Sequence, residues 1–198
     1  MHHEDRIEII QGDITQVQVD AVVNAANTTL QGGSGVDGAI HAAAGPRLLE
    51  ECMTLGGCEV GKAKLTQGYA LPAKVVIHAV GPYWMGGVKR EHQLLASCYR
   101  ESLSIASMHG MKTVAFPAIS CGAYRFPVEE AAQVAINTIV EFLESDQSIQ
   151  KVWVVCWEDD VYRAFSEALA ESSRPQLTTG ITSSARNGQL RASAQDQR

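Results

Sequence analysis

Short apolar runs rich in β-branched residues alternate along this chain with longer segments of helical period. No other feature constrains the fold as much. Arg6 to Gln11 alternates as a strand toward its core face, and Lys62 to Gln67 alternates through Ala63 and Leu65, as a strand with one wet face does. Ala21-Val22-Val23, Val75-Val76-Ile77, Thr113 to Phe116 and Val152 to Cys156 have the length and composition of buried strands. Between them lie amphipathic segments. Gly38 to Ala44 and Pro46 to Leu55 read as two short helices broken at Gly45-Pro46. His92 to Met108 places Leu95, Cys98, Tyr99, Ser102, Ile105 and Ala106 on one stripe and stops before Gly110. Val128 to Leu143 has one apolar face and Pro127 in its first turn, and Asp159 to Glu171 opens with carboxylates, which the helix dipole favours. Such alternation predicts an α/β domain of three layers around a largely parallel sheet, with ligands beyond the carboxyl ends of the strands.

The last 27 residues break the pattern. They are rich in Ser, Thr, Gln, Ala and Arg, lack aromatics and show no apolar period. Residues 1–171 are therefore expected to form one domain, and 172–198 a disordered tail. The tail carries four Arg and one Asp. With a net charge of −6 overall, −9 is left on the domain. A body that acidic is not expected to bind nucleic-acid backbones generally. An anionic small ligand remains compatible, because backbone N–H groups can hold phosphate. No run approaches the ~18 apolar residues of a membrane span, and the start of the chain has no basic and apolar leader pattern. Five widely spaced cysteines in a chain of 198 residues do not suggest a disulfide framework. No cysteine or histidine spacing suggests a metal site. These features lead us to expect a cytoplasmic monomer.

Three loops at expected strand ends carry candidate chemistry. Gly12-Asp13-Ile14-Thr15 follows the first strand. Asp13 reads either as a turn cap or as an acceptor for an amino group of a bound base. Asn24 and Asn27 follow the second apolar run, and Gly32-Gly33-Ser34-Gly35-Val36-Asp37-Gly38 comes next. Buried amides need partners, and the glycines permit close backbone approach to a ligand. The loop matches neither a P-loop nor a dinucleotide fingerprint. Asp37, its only carboxylate, reads either as a helix cap or as a reacting group. The third loop is Pro117-Ala118-Ile119-Ser120-Cys121-Gly122-Ala123-Tyr124-Arg125-Phe126-Pro127. Its small residues before a helix suit either a tight connection or a wrap around a diphosphate, with Tyr124 and Phe126 against a sugar ring.

Taken in order, these stretches resemble the macrodomain family, in particular its MacroD-type ADP-ribosyl hydrolase branch. The matching segments are GDIT (12–15), DAVVNAAN (20–27), GGSGVDGAIH (32–41), LPAKVVIHAVGP (71–82) and FPAISCGAYRFP (116–127). They fall within residues 5–170. The resemblance implies a three-layer α/β/α macrodomain fold with a mixed, largely parallel sheet. It implies that Asp13, with the Ile14 backbone, binds adenine beside Trp157. Ser120, Cys121, Gly122, Ala123 and Tyr124 would hold a diphosphate through their N–H groups. Asn27 and Asp37 would bind the distal ribose, with Gly33, Ser34, Gly35 and Val36 closing over it. Asp37 would orient or activate the attacking water, with no metal or other cofactor. The implied partners are ADP-ribose and ADP-ribosylated proteins. The implied activity is hydrolysis of ester-linked ADP-ribose, and the alternative is a reader that binds without hydrolysis. Ser34, Ala43, Arg125 and the Ser120-Cys121 pair depart from the residues usual in that branch. Cys121 is read as a small loop filler, and His41 and His78 as structural.

Overall fold

The computed structural model describes residues 3–173. Its six-stranded sheet runs in the order β1-β6-β5-β2-β4-β3. The strands are β1 (Ile7–Gln11), β2 (Ala21–Ala26), β3 (Ala63–Gln67), β4 (Val75–Val80), β5 (Thr113–Pro117) and β6 (Lys151–Cys156). Every pairing is parallel except that of β3 with β4 at the edge. The helices are α1 (Gly35–Ala44), α2 (Pro46–Thr54), α3 (Glu91–Met108), α4 (Val128–Ser145) and α5 (Asp159–Ser172). The expected mixed, three-layer α/β architecture is what the chain adopts.

Strand alternation splits the core in two. Val23, Ile77, Phe116 and Val154 point into a layer with Leu95, Tyr99 and Leu103 of α3, Ile136 and Ile139 of α4, and Phe165 of α5. Their neighbours Val22, Val76, Ala115 and Val155 point the other way, against Ile40 and Ala44 of α1 and Leu48 and Cys52 of α2. Parallel strands covered on both faces need continuous apolar runs, which is why these segments are so uniformly apolar.

Two boundaries matter for the site. β2 does not end at Val23 but continues to Ala26, so Asn24 lies inside the strand, opposite His78 of an equally extended β4. Helix α1 starts at Gly35, three residues before the expected Gly38, which brings Asp37 into its first turn. Helix α5 reaches Ser172, one residue past the expected domain end, and residues 174–198 of the expected tail lie outside the described residues. All five cysteines are free. Among the described residues no helix is long and apolar enough to cross a membrane.

Arg125 sits in the left-handed region at φ 57°, exposed, in the turn closed by Arg125 N donating to Gly122 O. A side chain costs about 1–2 kcal/mol there, and glycine returns part of that through its backbone entropy. Arg125→Gly is therefore expected to stabilise the domain by about 0.5–1 kcal/mol, a rise of roughly 2 °C in Tm. Thermal melts of the two proteins check it, and a fall in Tm would contradict it.

Candidate active site

A cleft opens beyond the carboxyl ends of the parallel strands, where such sheets place ligands. It has two chambers that share Gly35, Val36, Ala118 and Gly122. One, of about 440 Å³, is bounded by Asp13, Ile14, Cys121, Val155 and Trp157. The other, of about 280 Å³, is bounded by Asn27, Gly33, Ser34, Asp37, Gly81, Tyr83, Ser120, Ala123 and Tyr124. A more open depression, of about 490 Å³, borders Thr28, Gly56–Glu59 and Lys62–Lys64 and shares no residue with the cleft.

The first chamber suits a flat, apolar, amino-bearing group. Asp13 uses one carboxylate oxygen locally, where Oδ1 accepts from Thr15 N at 2.9 Å and Thr15 Oγ1 at 2.7 Å. That leaves Oδ2 for a ligand. Trp157 follows β6 and lines this chamber with 74% of its surface exposed. Cys121 lines this chamber through its side chain, but its N–H is committed to Ala118 O at 3.3 Å. Cys121 therefore cannot offer that N–H to a diphosphate as expected. Burial pushes its thiol up to about 12, which fits a filler and not a nucleophile.

Free N–H groups converge where the chambers meet. The first-turn amides of α1 have no carbonyl within the helix to accept them. Across the cleft, the N–H groups of Gly122, Ala123 and Tyr124 find no acceptor among the described residues. Backbone N–H groups of this kind, one set of them at a helix N-terminus, can hold an anion without side-chain charge. Ser34, the N-cap of α1, has φ −103°, so replacing the usual glycine strains nothing. Gly33 and Gly38 are needed for closeness. A Cβ on Gly33 would come 3.0 Å from Asp37 Oδ2, and one on Gly38 would come 2.6 Å from Gly33 O.

In the second chamber Asp37 is only 5% exposed. Its Oδ1 accepts from Asn24 Nδ2 at 2.7 Å and lies 3.5 Å from His41 Nε2, while Oδ2 lies on the side of Gly33. Asn27 also shapes the loop. Its Oδ1 accepts from Thr29 N, Thr29 Oγ1 and Leu30 N, and its Nδ2 donates to Gly32 O at 2.8 Å, leaving one Nδ2 hydrogen. Tyr124 stacks on Tyr83 with ring centroids 3.7 Å apart.

Two expected ligand residues are not on the cleft. Asn24 is fully buried, because its place in β2 turns it toward the α1 and α2 layer, beneath Asp37. Phe126 is 1% exposed and packs on Trp84 and His92, because the left-handed Arg125 turns the chain inward. Tyr83 was not expected. Its loop is held by the buried Glu91 carboxylate, which accepts from Met85 N at 2.9 Å and Gly87 N at 3.2 Å, and by Trp84 N donating to Tyr124 O. The Gly81-Pro82 turn at the end of a buried strand was the available signal.

His41, Cys52 and His78 place ligand-type atoms within 4.8 Å of one another. Hydrogen bonds already use both His78 nitrogens: Nδ1 faces Asn24 Nδ2 at 3.1 Å, and Nε2 faces Thr66 Oγ1 at 2.9 Å. Burial pushes the Cys52 thiol up to about 11, so it is held as a neutral thiol. The group works as a polar layer under the cleft.

Residues 23–135 match the family model of the Macro domain. The chain belongs to the macro domain family. Among its curated relatives, an O-acetyl-ADP-ribose deacetylase of Citrobacter rodentium is 50% identical, covering 84% of this chain and 96% of that one. The ADP-ribose glycohydrolase MACROD2 of Xenopus laevis is 56% identical over 72% of this chain, which spans about a third (34%) of that protein. A mutant of the Oceanobacillus iheyensis macrodomain solved with ADPR superposes with a TM-score of 0.81 at 39% identity, covering 84% of this chain and 92% of that one. The macrodomain cleft described above occupies the matched portion of the fold, together with strands just outside it.

Proposed function

We propose that this macrodomain hydrolyses ester-linked ADP-ribose, releasing mono-ADP-ribose from Asp and Glu side chains of proteins and deacetylating O-acetyl-ADP-ribose. The observation that carries the reading is the Asp37 carboxylate on the wall of the smaller chamber, with Oδ1 held by Asn24 and Oδ2 beside Gly33, which lines the same chamber. Adenine would lie between Asp13 and Trp157. The diphosphate would lie between the α1 N-terminus and the N–H groups of Gly122, Ala123 and Tyr124. The distal ribose would then reach Asn27 and Asp37. An ester on that ribose breaks when water is held at the reacting carbon and its proton is taken by a base. Asp37 supplies the base or orients the water, and Asn27 keeps one amide hydrogen for a ribose hydroxyl. The products are ADP-ribose and a free carboxylate. This chemistry calls for no metal or other cofactor. The names of the Citrobacter and Xenopus relatives support hydrolysis of ADP-ribose derivatives in general, the former that of O-acetyl-ADP-ribose.

The test is a time course of ADP-ribose release from a protein carrying glutamate-linked mono-ADP-ribose. Release by the wild-type chain is expected. Tight binding of ADP-ribose without release would place the protein among non-hydrolysing readers. The adenine end has its own prediction. Stacking on an aromatic side chain contributes about 1–3 kcal/mol per base. Trp157 covers one face only, so Trp157→Ala is expected to weaken ADP-ribose binding by about 1–2 kcal/mol, roughly tenfold. Calorimetric titration measures this, and an unchanged Kd would remove Trp157 from the site.

A further inference from the structure

Strand register brings a chain of polar side chains under Asp37. Asn24 of β2 lies directly opposite His78 of β4, and both face the α1 and α2 layer. Both are 0% exposed and neither lines the cleft. The Asn24 Nδ2 amide has two hydrogens and two acceptors: Asp37 Oδ1 at 2.7 Å and His78 Nδ1 at 3.1 Å. An amide nitrogen only donates, so His78 Nδ1 must accept and the ring proton must sit on Nε2. That proton faces Thr66 Oγ1 at 2.9 Å, with Cys52 Sγ farther off at 3.6 Å, and the hydrogen of Thr66 itself faces Gln67 O at 3.3 Å. Donor order is thereby set from the edge strand β3 through to the carboxylate. Turning the Asn24 amide over would set its oxygen against the carboxylate oxygen, so the carboxylate selects the amide orientation and the ring tautomer matches it. The orientation adopted leaves Asn24 Oδ1 buried without a partner among the described residues.

We propose that His78 is a positioning residue for the hydrolysis: its imidazole locks the Asn24 amide, and that amide holds Asp37 with Oδ2 presented to the water. The inference rests on the hydrolase reading above. Burial, with His41 alongside, keeps the imidazole neutral by pushing its pKa down to about 3, so Nδ1 stays an acceptor at working pH.

Two amide replacements separate this role from simple core filling. The amide oxygen of Asn can occupy the place of Nδ1, and the amide nitrogen of Gln that of Nε2. His78→Asn keeps the acceptor for Asn24, whereas His78→Gln keeps only the donor to Thr66. His78→Gln is expected to lower kcat at least tenfold, with the Kd for ADP-ribose within threefold of wild type. His78→Asn is expected to recover most of that loss, although both variants lose similar Tm. Equal kcat in the two variants would overturn the proposal, whether both are slow or both are fast. Thr66→Val leaves the ring in place and removes the hydroxyl acceptor of Nε2, leaving only the weakly accepting Cys52 Sγ at 3.6 Å. If His78→Gln does not fold, a severalfold fall in kcat for Thr66→Val at unchanged Kd carries the test, and unchanged kcat overturns the proposal. A crystal structure of His78→Gln with ADP-ribose reads the geometry directly. The Asn24 Nδ2 to Asp37 Oδ1 distance is expected to exceed 3.5 Å, and an unchanged 2.7 Å contact overturns the proposal even if the wild type does not hydrolyse. Failure of the hydrolase reading shows separately, as absence of release by the wild-type chain.

Discussion

Replacing Asp37 by Asn is expected to lower the rate of ADP-ribose release by a factor of about 10² or more while leaving the Kd for ADP-ribose within tenfold of wild type. Loss of a general base typically costs about 10²–10⁴ in rate. Asn is the informative substitution because Asp37 also belongs to the buried network. Its Oδ1 accepts from Asn24, and a carbonyl oxygen can keep that bond. Asp37→Ala would also leave the Asn24 donor unsatisfied, which costs about 1–3 kcal/mol, so a loss of activity could then reflect a disturbed fold. Asp37→Ala is expected to show the same fall in rate together with a lower Tm. Single-turnover release and ADP-ribose titration on the same preparations give the two numbers. A rate for Asp37→Asn within threefold of wild type would remove Asp37 from the chemistry and leave water activation to a phosphate oxygen of the ligand.

Residues whose positions follow from local chain geometry, or from the family resemblance, were legible in the sequence. Asp13 sits in a Gly-Asp turn after a strand, and Gly33 to Val36 lead into a helix. Trp157 ends a buried run, so its position outside the sheet follows from the length of β6. Each of these lines the cleft. Asn24 was misplaced because a polar residue after Ala21-Val22-Val23 looks like the end of a buried strand. The strand continues because His78, 54 residues away, supplies a polar mate across it. A partner fixed by register is invisible until the order of strands is known. Phe126 fails for a different reason. Its spacing from Tyr124 suggests a shared surface, but with a left-handed residue between them Tyr124 lines the cleft and Phe126 is buried. Tyr83 belongs to a loop without any period, and its place beside Tyr124 depends on one backbone hydrogen bond and on a buried glutamate downstream. Long-range pairing and backbone handedness thus account for what pattern alone did not show.

The same buried histidine gives the fold an acid weakness of defined sign. In the unfolded chain His78 should titrate near its ordinary value of 6.5, whereas in the fold burial pushes it down to about 3. Between those values the unfolded state binds a proton that the native state does not, so stability falls as pH falls. Each pH unit in that window is worth about 1.36 kcal/mol, so lowering the pH from 7 to 4.5 removes about 2.5 kcal/mol through this one group. For a domain of this size the loss is roughly 5–10 °C in Tm. Carboxylates held below their ordinary range, such as Asp20 beside Lys74 and Asp146 under Ser107, contribute in the same direction but mostly at lower pH, where the unfolded chain protonates them. Comparison with His78→Asn isolates the histidine, because an amide does not titrate. Denaturant melts of both proteins at pH 7 and pH 4.5 should show the wild type losing about 2.5 kcal/mol more than the variant. Equal losses would mean that His78 takes up a proton in the native state. Its Nδ1 could then no longer accept from Asn24, and Asp37 would have to be held in some other way.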